Sequence, residues 1–214
     1  YDHFMIKEIM EQPKAVKDTI SSRITDNDMP YLMDEGVGED VFKNIRNVHI
    51  IACGSAYYAG MAGKVAFERL ARIPVLGNVA SEFRYSDPVV DESTMVIVVS
   101  QSGETADTLA ALREAKARGA KTVAIVNVLA SSAAREADHV IYTWAGPEIA
   151  VATTKAYSAQ LSVMYLLALT AAKARGTLTD AEIAEYCRAL RALPGQIEAA
   201  LGTDGEMKAL AKLY

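Results

Sequence analysis

The chain has 214 residues, 51% hydrophobic and 23% charged, a globular composition long enough for one sizeable domain with attached helices. Its formal net charge of −5 argues against general nucleic-acid or anionic-membrane binding, since both need a basic footprint. Two cysteines, Cys53 and Cys187, and three isolated histidines, His3, His49 and His139, give neither a disulfide framework nor metal-ligand spacing, and nothing calls for a cofactor.

Residues 1–24 read as amphipathic helix, with Phe4, Ile6, Ile9 and Met10 apolar. Pro13 suits the first turn of a second helix carrying Val16 and Ile20. Thr25–Asp40 is polar, holds two glycines and reads as loop with at most a short helical turn. Residues 1–44 together form an arm leading into the domain proper. Val48–Ala52 is the first strand. It runs into Cys53-Gly54-Ser55-Ala56 and then a long helix to about Arg72, whose small residues allow close packing on a sheet. Val75–Val79 is a weaker strand, and Ser81 after it is placed to cap a short helix.

Met95–Val99 is an uninterrupted apolar run rich in β-branched residues, the pattern of a strand buried on both faces. Ser100-Gln101-Ser102-Gly103-Glu104-Thr105 follows as a polar turn, and a helix starts at Thr105 and ends at Gly119. Strand, hydroxyl-rich turn and helix start together make an anion site: the first turn of a helix presents unpaired backbone N–H groups, and its dipole favours negative charge. Ser100, Ser102 and Thr105 add hydroxyl donors and Gln101 an amide. The turn holds no Lys or Arg, so an anion there is held by dipoles and hydrogen bonds. One hydroxyl in such a place is usually a helix cap; four polar side chains on one turn favour a ligand.

Thr122–Val126 and His139–Thr143 are the fourth and fifth strands, with Ser131 and Ser132 ahead of a short helix between them. In Gly146–Ala156, Gly-Pro marks a loop and Thr153 or Thr154 can cap the long helix that runs to Gly176. The uncharged run Ala156–Ala172 is too short and too polar for a membrane span and reads as a buried helix. Thr179 and Glu182 form a capping-box pair for a helix through Leu193, and Pro194 restarts another. Five strands alternating with helices predict an α/β three-layer α-β-α sandwich with a five-stranded parallel sheet and flanking helices. With strand order 2-1-3-4-5, the turns after strands 1 and 3 face one crevice at the switch point, and the loop at Glu148–Lys155 folds over it. That crevice suits a small phosphorylated, hydroxyl-rich molecule.

SQSGETADT at residues 100–108, ASEFRY at 80–85 and EIAVATTKA at 148–156 carry a resemblance that spacing alone does not supply. Together they resemble the first of two sugar-isomerase (SIS) subdomains in the synthase half of the glucosamine-6-phosphate synthase family, and residues 1–13 resemble the linker ahead of it. The resemblance covers nearly the whole chain. It implies a flavodoxin-like SIS domain over residues 45–176, followed at 177–214 by helices leading to a second SIS domain absent from this sequence. The family combines a glutaminase domain with a synthase half that turns fructose 6-phosphate and ammonia into glucosamine 6-phosphate, with one catalytic histidine supplied across a dimer interface. By that resemblance Ser100, Gln101, Ser102 and Thr105 hold the sugar phosphate, and Ser55, Val151 and Thr153 line the sugar. The family's Cys-Gly-Thr-Ser turn reads Cys53-Gly54-Ser55-Ala56 here, so the hydroxyl at position 56 is lost.

The family's catalytic acid/base, ring-opening histidine and substrate lysine belong to sequence this chain lacks, so no catalytic residue is assigned. Glu104 is expected to have a dipole or structural role, Lys155 a structural or loop-positioning one, and His49, His139 and Cys53 are expected in the core. The chain is expected to be part of a longer polypeptide, cytoplasmic and homodimeric. Its partners are then a sugar phosphate, the second SIS domain and the glutaminase domain, with no nucleic acid and no membrane. The other readings are a non-catalytic regulatory SIS module, which residues 1–44 disfavour by lacking a basic recognition helix, and a stand-alone SIS isomerase or deglycase.

Overall fold

The computed structural model describes residues 1–214. Five strands, β1 (Asn47–Ala52), β2 (Val75–Val79), β3 (Thr94–Ser100), β4 (Lys121–Val126) and β5 (His139–Tyr142), form one parallel sheet in the order β2-β1-β3-β4-β5. That is the order on which the convergence of the two turns depends. Ala52 pairs with Val99 and Ser100 with Val126, so β1, β3 and β4 finish nearly level.

Ten helices surround the sheet: α1 (Phe4–Met10), α2 (Gln12–Ile20), α3 (Glu39–Phe42), α4 (Ser55–Ala66), α5 (Ala80–Tyr85), α6 (Ala106–Ala117), α7 (Ser132–Glu136), α8 (Lys155–Arg175), α9 (Asp180–Leu201) and α10 (Asp204–Leu210). Side chains alternate across a strand, which explains why the central strands read as continuous apolar runs. Ile50, Ile97, Val99 and Ile125 face a large core shared with α8 and α9. Ile51, Val96, Val98 and Ala124 face a smaller one shared with α5, α6 and α7. Both faces are covered, as parallel sheets require. The uncharged run at 156–172 lies in α8, which is apolar nearly all round and buried along most of its length. No helix is long and apolar enough to cross a membrane.

Three local expectations change. α9 runs unbroken through Pro194 instead of restarting there. Proline's fixed φ is compatible with helical backbone, and the cost of continuing the helix is the Leu190 carbonyl, left without its usual donor. Ser81 lies inside α5, one residue past its start, and caps nothing. The segment 25–40, read as polar loop, sends Leu32 and Val37 into the main core. The arm is built in as well: Val16 and Ile20 join the same core. Arg23, 2% exposed, ion-pairs with Glu35 at 2.6 Å and donates to the carbonyls of Thr19 and Tyr142.

Candidate functional site

The turn after β3 is shaped by its own side chains. The Gly103 backbone N–H donates to Ser100 Oγ at 3.0 Å, and the Glu104 N–H donates to Ser102 Oγ at 3.2 Å. Ser100 Oγ and Thr105 Oγ1 lie 3.2 Å apart and share one hydrogen bond. Thr105 occupies the cap position of α6, yet no side chain caps that helix, so its first N–H groups remain unpaired within the chain. Ser102, accepting from Glu104, keeps its own hydroxyl hydrogen free. So does one member of the Ser100–Thr105 pair. Gly103 turns the chain at φ +68°, and a Cβ there would stand 2.2 Å from Ser131 Oγ, so only glycine fits.

Glu104 turns away from this face. Its carboxylate accepts from the Ser132 backbone N–H at 2.7 Å, a bond that holds its pKa below the ordinary value. It therefore braces the start of α7, a structural role as expected. His49 packs edge-on against Phe83, with ring centroids 5.8 Å apart, and burial pushes its pKa down.

The loop after β5 is held from two sides. Glu148 accepts from Thr153 Oγ1 at 2.8 Å and from the Thr154 backbone N–H at 2.8 Å. It supplies the cap that neither threonine gives α8. Glu8 of the arm, 1% exposed, accepts from the Ile149 N–H at 2.6 Å and from the Ala150 N–H at 3.3 Å. Lys155 is buried and paired with Glu11 at 2.6 Å. Hydrogen bonds from Lys155 and then Lys7 hold the Glu11 carboxyl below its ordinary pKa. Lys155 is thereby committed to the arm, in keeping with a loop-positioning role.

These turns close on one cavity of about 210 Å³ at the carboxyl ends of β1 and β3. Ser100, Gln101, Ser102 and Thr105 line it from the β3 turn, Ser55 and Ala56 from the β1 turn, and Val151 and Thr153 from the loop. All seven residues singled out in the sequence thus meet in one place. Val99, Cys53 and Gln160 complete the lining. Cys53 is half-buried rather than part of the core, and accepts a long contact from Thr108 Oγ1 at 4.0 Å. The sequence does not single out Gln160, because Ser158, Ser162 and Thr170 interrupt the same apolar helix. No carboxylate, imidazole or amine lines the cavity, and no cluster of three or more His, Cys, Asp or Glu is placed to hold a metal. The arrangement can grip an anion and neighbouring hydroxyls, and its one ionisable side chain is the Cys53 thiol.

The SIS domain family model matches residues 42–170. The glutamine–fructose-6-phosphate aminotransferase (isomerizing) of Clostridium tetani is 54% identical over 211 residues, which is 99% of this chain and 35% of that protein. The enzyme of the same name from Mycolicibacterium smegmatis is 48% identical over 214 residues, 100% of this chain and 34% of that protein. The chain therefore spans about a third of the length of the curated relatives it matches. Among solved structures, the C-terminal domain of glucosamine-fructose-6-phosphate aminotransferase from Francisella tularensis superposes with a TM-score of 0.93 at 39% identity, covering 99% of this chain and 59% of that one.

Proposed function

The chain belongs to the SIS domain family, and from that premise we propose that it is the sugar-phosphate-binding half of a synthase site that converts fructose 6-phosphate and ammonia to glucosamine 6-phosphate. One observation carries the reading: the neutral donors of the β3 turn and the polar groups of the β1 turn and the β5 loop line a single cavity at the sheet's switch point. The phosphate sits at the start of α6, held by Ser100, Gln101, Ser102 and Thr105. The carbon chain runs toward Ser55, the backbone at Val151 and Thr153. Thr153 gives its hydroxyl hydrogen to Glu148, so it meets a sugar hydroxyl as an acceptor. Moving a proton between C1 and C2 needs a positioned general base. That base, with the ammonia source, belongs to the second SIS domain and the glutaminase domain of a longer polypeptide. A homodimer completes the site, and the compartment is the cytoplasm.

Calorimetric titration of the chain with fructose 6-phosphate and with fructose tests the reading. Each hydrogen bond to a charged group contributes about 1.5–3 kcal/mol, so Ser102→Ala combined with Thr105→Ala weakens fructose 6-phosphate at least tenfold. Equal affinity for the phosphorylated and unphosphorylated sugar would sink the reading.

A further inference from the structure

We infer that Gln160 is a specificity-determining residue of this cavity, its side-chain amide recognising a hydroxyl on the carbon chain of the ligand rather than its phosphate. Gln160 is 3% exposed and lines the cavity. Its amide, with two donors and an acceptor, makes no hydrogen bond within the chain, whereas Lys155 and Ser158 of the same two turns of α8 are paired with Glu11 and Gln12 of the arm. The amide is not among the enclosed polar atoms without partners, so in a residue otherwise buried it opens onto the cavity, where a ligand can pair it. The two enclosed polar atoms that lack partners outright, Asn47 Oδ1 and Ser131 Oγ, belong to residues that do not line the cavity.

The placement of Gln160 selects the part of the ligand it meets. The phosphate seat lies at the start of α6, on one face of the sheet; α8 packs on the other face. Gln160 therefore approaches from the layer opposite the phosphate seat, on the helix fed by the loop that carries Val151 and Thr153. A ligand anchored by its phosphate at α6 presents its carbon chain to that layer. A neutral donor–acceptor group matches a hydroxyl, which also donates and accepts.

The inference rests on the sugar-phosphate reading, and its test separates the two. The chain is titrated with fructose 6-phosphate and, separately, with inorganic phosphate, as wild type, as Gln160→Leu and as Gln160→Met, which keeps the side chain's length. Thermal unfolding of each is followed without ligand. The expected result is a loss of tenfold or more for fructose 6-phosphate, a change under twofold for inorganic phosphate, and a Tm no lower than wild type in at least one variant, because no protein hydrogen bond is removed. Unchanged fructose 6-phosphate affinity in the variants overturns the role of Gln160 and leaves the sugar-phosphate reading standing. Equal losses for both ligands, or a lowered Tm in both variants, overturn it too, by making the amide a phosphate ligand or a packing group. A wild-type chain that binds fructose 6-phosphate no better than inorganic phosphate overturns both.

Discussion

Gly103 is where the phosphate turn depends on a single atom's absence. Its backbone lies at φ +68° and its missing Cβ leaves room for Ser131 Oγ. Gly103→Ala imposes a left-handed conformation costing about 1–3 kcal/mol and also pushes against Ser131, whose own segment is tied to the turn by the Ala133 N–H to Gly103 carbonyl bond. The turn relaxes by moving, so the variant is expected to lose at least tenfold in fructose 6-phosphate affinity while remaining folded; circular dichroism alongside titration checks both. At this scale the polar turn was legible, because hydroxyls crowded between a buried strand and a helix stand out from the apolar runs around them. Which hydroxyls stay free to donate was not. Ser100 and Thr105 pair with each other and Ser102 accepts from its own turn, and those bonds exist only once the turn has closed. Gln160 was not legible, because Ser158, Ser162 and Thr170 share its helix and only the fold shows which of these faces the cavity.

Among elements, the parallel sheet was readable because β-branched runs alternate with helices; its strand order entered only as the condition under which two turns meet, and the sheet has that order. The arm was not. Its amphipathic pattern says that it packs, without saying on what, and a buried carboxylate such as Glu8 has no periodic signature. Yet α1 reaches the site loop through that carboxylate, which takes the N–H groups of Ile149 and Ala150 just before Val151. Glu8→Gln keeps the shape, removes the charge and turns a charge-assisted pair into ordinary hydrogen bonds, roughly half as strong. Faster amide exchange at Ile149 and Ala150, with a twofold to tenfold loss of fructose 6-phosphate affinity, is the expected outcome. Unchanged exchange at both amides would show that the loop holds itself through Glu148 alone.

At the scale of the whole molecule, the cavity is rich in hydrogen-bond donors and lined by no carboxylate, imidazole or amine. The chain alone is therefore expected to form no glucosamine 6-phosphate from fructose 6-phosphate and ammonia, and a sensitive product assay checks this; measurable turnover would place a general base within these 214 residues. That expectation comes only from the family resemblance, since a missing base leaves no pattern in a sequence. The uncharged cradle has a kinetic meaning as well. Substrate and product of the proposed reaction carry the same phosphate, so whatever the cradle contributes to holding one it contributes equally to holding the other, and none of it lowers the chemical barrier. An arginine fork at Ser100–Thr105 would lengthen the stay of both. On the proposed reaction, neutral donors, each weaker than a charge-assisted pair, make a handle that captures the substrate and still lets the finished sugar depart.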